Sequence, residues 1–228
     1  PLRIAWDAGN GAAGPVIKAF CKDLSKHSHV PLFTNIDCNF PNHHPDPSVP
    51  ENLRHLIAAV KENNCDIGFA FDGDADRVGI VDSTGRIIAG DELVAIISHA
   101  ILQDAKGGTI IADVKCSNHT LNAITAAGGK PVMERTGHSW IKQAMIQHNA
   151  IFAGEMSGHM FFKHGYYGFD DGLYAAIFLL NYIQTLEVNF SDLVAQLPKA
   201  YSTPEIRLNC NEREKLQSDE KRVNEIDG

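Results

Sequence analysis

The chain has 228 residues, 44% of them hydrophobic, and a formal net charge of −8. That supplies apolar surface for one large or two small domains, and the negative balance argues against a general nucleic-acid or membrane-surface binder. The five cysteines include no C-x-x-C pair and read as reduced packing thiols of a cytoplasmic protein; no signal-peptide pattern and no apolar run of membrane-spanning length is visible.

Residues 2–6 are apolar and predict a first strand. The turn Asp7-Ala8-Gly9-Asn10-Gly11-Ala12-Ala13-Gly14 follows, then a helix pattern over 15–25 with Pro15 in its first turn. Gly9-x-Gly11-x-x-Gly14, with Asp37 downstream, matches the dinucleotide fingerprint. Asp7, however, puts a carboxylate beside the place a pyrophosphate would take, so a tight strand-to-helix turn is the preferred reading. A dinucleotide-binding oxidoreductase is the alternative from another functional class. Residues 30–36 predict a second strand. Residues 39–47 (NFPNHHPDP) form a loop, because three prolines exclude regular structure. Its adjacent His43 and His44 read as packed, hydrogen-bonded loop residues rather than metal ligands. Residues 50–63 predict an amphipathic helix with Leu53, Leu56, Ile57 and Val60 as its apolar stripe.

Residues 66–71 and 78–81 read as buried strands around Asp72-Gly73-Asp74-Ala75-Asp76-Arg77. Carboxylates at alternate positions, at the C-terminal end of a strand, occupy the edge where open α/β sheets bind ligands. Like charges this close repel, which raises at least one pKa, and a divalent cation relieves the conflict. The donors are all hard oxygens, which favours Mg²⁺, Mn²⁺ or Ca²⁺ over zinc or copper. An EF-hand is ruled out, since Arg77 and Ser83 stand where that loop needs Gly and Glu. Carboxylates with open positions suit Mg²⁺ that shares its shell with a substrate phosphate, and Arg77 beside them suits a phosphate clamp.

After a turn at 83–86 and a short strand at 87–88, a helix is predicted over 91–103, and then the first pattern repeats. Strand 109–112 leads to helix 118–127, stopped at Gly128-Gly129. Strand 131–133 leads through the loop 134–139 to a helix ending near His148. Strand 151–153 ends in Gly154-Glu155-Met156-Ser157-Gly158-His159. The fold expected is α/β: two similar mixed α/β/α sandwich domains, residues 1–88 and 89–200, with their functional loops facing a shared cleft. Phe169-Asp170-Asp171-Gly172 leads a helix to about Leu186. A strand at 203–210 and a solvated helix over 211–228 would begin a C-terminal domain or tail. Because the chain opens at Pro1 on a strand and stops at Gly228, it reads as a piece of a longer protein.

The second unit carries cations and hydroxyls. Lys115, His138, Ser139, Ser157 and His159 all fall at strand ends or in the following loops. Glu155 and Ser157, two apart between glycines, suit vicinal sugar hydroxyls; Gly154 and Gly158 allow close backbone approach. His138 and His159 suit proton transfer near neutrality. Lys115 suits a phosphate or an activated hydroxyl. Ser117 reads as the start of a helix rather than a nucleophile.

The stretches DGDADR (72–77), GEMSGH (154–159), TGHS (136–139) and FPNHHPDP (40–47) resemble those of the α-D-phosphohexomutases, most closely the bacterial phosphomannomutase/phosphoglucomutase type. The resemblance covers nearly the whole chain. It implies the middle two domains of a four-domain enzyme that moves phosphate between O1 and O6 of mannose or glucose phosphates, through a phosphoserine and a hexose 1,6-bisphosphate. It implies Asp72, Asp74 and Asp76 as Mg²⁺ ligands, Arg77 as a contact to the phosphosugar, Glu155 and Ser157 as holders of the 3- and 4-hydroxyls, and Lys115, His138 and His159 as acid/base or phosphate-orienting groups. The family's phosphoserine loop and its C-terminal phosphate loop have no counterpart here; both belong to flanking domains of the same polypeptide. Isolated, this chain is therefore expected to be inactive, a non-catalytic Mg²⁺- and sugar-phosphate-binding fragment. A phosphoglucosamine mutase of the same superfamily is the alternative enzyme, and Met156, where those enzymes tend to carry Gln, leans toward mannose and glucose.

Overall fold

The structure, a computed structural model, describes residues 1–197, so the strand expected at 203–210 and the helix over 211–228 lie outside the described residues. These residues cluster as one compact unit.

The first sheet has strand order β2-β1-β3-β4-β5. Its members are β1 (Arg3–Asp7), β2 (Ser28–Leu32), β3 (Ile67–Phe71), β4 (Val78–Asp82) and β5 (Ile87–Ile88). β1 runs parallel to β2 and β3, and the β3–β4 and β4–β5 pairs are antiparallel. Helices α1 (Ala13–Asp23) and α2 (Arg54–Glu62) connect the parallel strands, with one 3-10 turn, Pro50–Leu53, leading into α2. β2 lies two residues before its expected start, because Ser28 pairs with Arg3 and the chain leaves the sheet at Phe33, where φ is +50°.

The second sheet repeats this plan in the order β10-β9-β8-β6-β7. It contains β6 (Thr109–Asp113), β7 (Lys130–Glu134), β8 (Phe152–Gly154), β9 (Met160–Phe162) and β10 (Phe169–Asp170). Each strand has the partner and polarity of its counterpart in the first sheet. Helices α3 (Gly90–Asp104), α4 (Asn118–Ala126), α5 (His138–Gln147), α6 (Gly172–Ile183) and α7 (Phe190–Ala195) complete the described residues. The repeat expected from sequence extends to β9 and β10, which were not expected; α7, also not expected, has no counterpart in the first unit.

Alternation along each strand sorts side chains to two faces. Ile4, Trp6, Phe69, Phe71 and Ile80 point to one face of the first sheet, while Ala5, Ala70 and Val81 point to the other, under α2. In the second sheet Ile110, Phe152, Met160 and Phe162 share one face, and Ile111, Ala153 and Phe161 meet α5 on the other. The two large-residue faces belong to a single continuous core. Helix packing explains why. α3, which follows the first sheet in sequence, packs on β6 and β8 of the second. α6, which follows the second sheet, packs on β3 and β4 of the first. α3 thus stays with the second stretch of chain, to which Gly90 already belongs, while α6 crosses from the second stretch to the first sheet and holds the two loop-bearing edges in one frame. No helix among the described residues is long and apolar enough to cross a membrane.

Candidate active site

β3 and β8 are the counterpart strands, and the acidic and GEMSGH loops are their counterpart hairpin turns, leading into β4 and β9. The two turns abut directly. Val78 N–H donates to the Gly158 carbonyl at 3.1 Å, and Arg77 and His159 form an antiparallel bridge. Gly158 has φ of +99°, and a Cβ there would lie 2.6 Å from the Val78 carbonyl oxygen, so only glycine permits this contact. A third segment joins them: Gly172 N–H, at the start of α6, donates to the Ala75 carbonyl at 3.0 Å. Ala75 itself sits at φ +68°, an uncommon conformation for a residue with a Cβ, fixed by these neighbours.

Within the acidic loop, Asp72 is buried, Asp74 exposed and Asp76 half-buried, and one oxygen from each lies within 4.8 Å of the others. Burial first, then the charges of Asp72 and Asp74, push the Asp76 carboxyl up to about 6, with His159 opposing. Uncompensated negative charge on a hard-oxygen donor set fits a divalent cation. Arg77 is held on two sides: Nε donates to Asp72 at 2.7 Å and Nη1 to Asp46 at 3.1 Å. Burial lowers its pKa, but Asp72, Asp46 and Asp76 outweigh this and raise it.

The loop at 40–47 supplies more than Asp46. His43, its side chain 7% exposed, pairs through Nε2 with the fully buried Asp7 at 3.1 Å, which matches its reading as a packed loop residue. Asn42 donates to Asn10 at 2.7 Å. The glycine turn below is filled by protein. Ala12 N–H donates to the Gly73 carbonyl at 2.9 Å, Asn10 N–H to Phe33 and Gly11 N–H to Ala8. A Cβ on Gly11 would sit 2.7 Å from the Gly73 oxygen, and one on Gly14 would sit 2.2 Å from the Thr34 oxygen. This overturns the dinucleotide alternative, because the amides and space that would cradle a pyrophosphate instead seat the acidic loop and the chain after β2.

In the second unit, the parallel strands β6, β7 and β8 deliver their following loops to one edge. Glu155 is 2% exposed, and its Oε1 accepts from Gly137 N–H at 2.6 Å, tying the GEMSGH loop to the TGHS loop. Asp113, the fully buried last residue of β6, accepts from the Thr136 hydroxyl at 2.9 Å, the Cys116 thiol at 3.2 Å and Met156 N–H at 3.3 Å. It occupies the position in its sheet that Asp7 holds in the first. Lys115, His138 and Ser139 are exposed, and Ser157 is half-buried. His138 and Ser139 open α5, and Ser117 stands at the start of α4 as expected.

His159 Nδ1 lies 3.0 Å from Asp170 and 3.6 Å from Asp76. These are ion-pair distances without hydrogen-bond alignment. Burial pulls its pKa down, but Asp170, Asp76 and Glu155 raise it above the ordinary value. Asp170 also takes Lys142 at 2.9 Å. Burial raises the Asp170 carboxyl, yet His159 and Lys142 hold it well below the usual range. Asp46, Asp113, Lys142 and Asp170 were not expected from sequence; no local pattern marks them, and the only hint was Asp170-Asp171-Gly172 before a helix.

Residues 1–85 match the family profile described as phosphoglucomutase/phosphomannomutase, alpha/beta/alpha domain II, and residues 89–201 match that of domain III. The chain belongs to the phosphoglucomutase/phosphomannomutase family. It is 45% identical over 216 residues to the phosphomannomutase/phosphoglucomutase of Pseudomonas aeruginosa, covering 95% of this chain and 46% of that protein. A phosphoglucomutase of Neisseria gonorrhoeae is 46% identical over 212 residues, covering 93% of this chain and 46% of its own length. A solved phosphoglucomutase/phosphomannomutase family protein from Burkholderia thailandensis superposes with a TM-score of 0.87 at 46% identity, over 96% of this chain and 47% of that one. The chain spans about half the length of these relatives, so it corresponds to the two α/β/α domains of a longer family plan.

Proposed function

We propose that this chain is the metal- and sugar-binding middle of a phosphohexomutase that interconverts mannose or glucose 1-phosphate and 6-phosphate, with the phosphoserine supplied by a flanking domain. The observation that carries the reading is the direct junction of the acidic and GEMSGH loops, joined by the Val78–Gly158 hydrogen bond. The junction supports the reading because the candidate metal ligands, the candidate phosphate-binding Arg77 and the candidate sugar ligands then share one continuous edge. Phosphoryl transfer depends on alignment and charge neutralisation more than on covalent help. A Mg²⁺ held by Asp72, Asp74 and Asp76 would supply that neutralisation. Arg77, pre-oriented by Asp72 and Asp46, binds a phosphate of the substrate. Glu155 Oε2 and Ser157 take the 3- and 4-hydroxyls, while Glu155 Oε1 stays on Gly137. His159 and His138 carry protons to and from the reacting hydroxyls, and Lys115 orients phosphate.

The test is a coupled assay of the full-length polypeptide on mannose 1-phosphate, glucose 1-phosphate and glucosamine 1-phosphate, with Mg²⁺ or chelator and a trace of hexose bisphosphate. Mg²⁺-dependent conversion of the first two is expected, with no turnover by the 228-residue chain alone. Preference for glucosamine 1-phosphate would move the substrate to amino sugars. Conversion of none of them, or turnover by the isolated chain, would overturn the proposal.

A further inference from the structure

We propose that Asp170, seated by Lys142, is a positioning residue that fixes the imidazole of His159. The inference rests on the mutase reading for the purpose of that ring, but its geometry stands by itself. His159 Nδ1 has two carboxylates in reach, Asp170 at 3.0 Å and Asp76 at 3.6 Å. Asp76 has a competing use as a candidate cation ligand beside Asp72 and Asp74. Asp170 also falls in a group with Asp76 and His159 that could hold a metal ion, but its two oxygens are already divided between His159 and Lys142, the latter at 2.9 Å. Its side chain is 8% exposed, and its backbone is fixed in β10 opposite Phe161 of β9. The Phe161 ring lies 6.1 Å from the His159 ring, and Lys142 Nζ lies 5.7 Å from the same phenyl. The four side chains therefore form one packed group.

Asp170 stands 3.0 Å from Nδ1 without hydrogen-bond alignment, so its charge, once the ring turns to meet it, favours the proton on that nitrogen and leaves Nε2 as the acceptor. This is the arrangement in which a base is oriented by a third group. Lys142 stands on α5, whose first turn carries His138 and Ser139. Asp170 thus ties the GEMSGH loop to the helix that presents the TGHS residues, so the proton-carrying groups of both loops share one anchor.

The test compares Asp170→Asn, Asp170→Glu and Lys142→Met in the full-length protein. Two readouts are taken: kcat and KM on glucose 1-phosphate, and the imidazole ¹⁵N signals of His159 with and without Mg²⁺. Asp170→Asn should lower kcat roughly 10- to 100-fold, part of what a general acid or base contributes, with KM within about twofold. Its His159 signals should move toward a mixture of tautomers. Asp170→Glu should restore part of kcat, and Lys142→Met should shift both readouts in the same direction by less. Unchanged His159 signals in Asp170→Asn, or in Lys142→Met if the first variant does not fold, would overturn the proposal whatever happens to kcat. If the wild-type protein turns over no hexose phosphate, the mutase reading falls, while the ¹⁵N comparison still decides the Asp170–His159 link.

Discussion

Replacing Gly11 by alanine tests whether the glycine turn is a seat for the acidic loop. The added Cβ would lie 2.7 Å from the Gly73 oxygen, 3.0 Å from the Asp72 oxygen and 3.1 Å from Gly73 Cα. All three are backbone atoms, so no rotamer change relieves the contact. Restoring ordinary contact at 3.4 Å takes a retreat of about 0.7 Å, along the line that carries the 2.9 Å Ala12–Gly73 hydrogen bond. Overpacking costs about 1–3 kcal/mol, and the stretched hydrogen bond adds about 1 kcal/mol. A net loss of about 2–4 kcal/mol lowers the melting temperature by about 4–16 °C for a chain of this size. Mg²⁺ demands near-ideal octahedral geometry, so the same shift should weaken its binding by about tenfold. Calorimetric melting and Mg²⁺ titration of the 228-residue chain check both numbers. Gly107→Ala is the control. Gly107 has φ of +78° and open space around the added carbon, so it should cost stability without touching Mg²⁺ affinity. Wild-type melting and wild-type Mg²⁺ affinity in Gly11→Ala would refute the reasoning.

The His43–Asp7 pair predicts a pH dependence. The hydrogen bond from His43 to the Asp7 carboxylate outweighs burial and raises His43 above its unfolded value of 6.5. Its contribution is therefore complete below that value and is lost as pH rises through the folded pKa. Urea midpoints should fall over that range in the wild type and stay flatter in His43→Gln. Because Asp7 is fully buried, His43→Ala should cost about 3 kcal/mol or more, from an uncompensated charge; a loss below about 1 kcal/mol would argue that the pair is incidental. Arg77→Lys removes the planar fork that engages Asp72 and Asp46 together. In the full-length protein it should raise KM for glucose 1-phosphate by about tenfold or more, and an unchanged KM would exclude Arg77 from phosphate binding.

Much of the architecture was legible because it rests on period and punctuation. The runs at β1, β3, β6 and β8 are apolar and bounded by glycine or acidic residues, and the stripe of α2 repeats at helical spacing. β9 and β10 were not expected, although the equally short β5 and β8 were; neither stands between the turn signals that marked those two. The crossing of α6 to the first sheet was illegible for a different reason: an apolar helix face records that it is buried, not against which sheet. The acidic and GEMSGH loops were legible because their chemistry is dense in sequence. Asp46, Asp113 and Asp170 were not, since each acts on residues 23 or more positions away or from another strand, with nothing local to mark it. The glycine turn misleads for the same reason. Its spacing matches a phosphate cradle, and only the position of Gly73 shows what fills it.

Titration of Mg²⁺ into the chain and its Asp74→Asn variant, followed by isothermal calorimetry, tests the metal-loop claim most directly. Asp74 is exposed, so the substitution leaves packing intact and removes one ligand charge. The account predicts Mg²⁺ binding by the wild-type chain, weakened about tenfold or more in Asp74→Asn with unchanged circular dichroism. Equal affinity in the two, or no binding by the wild type, would contradict it.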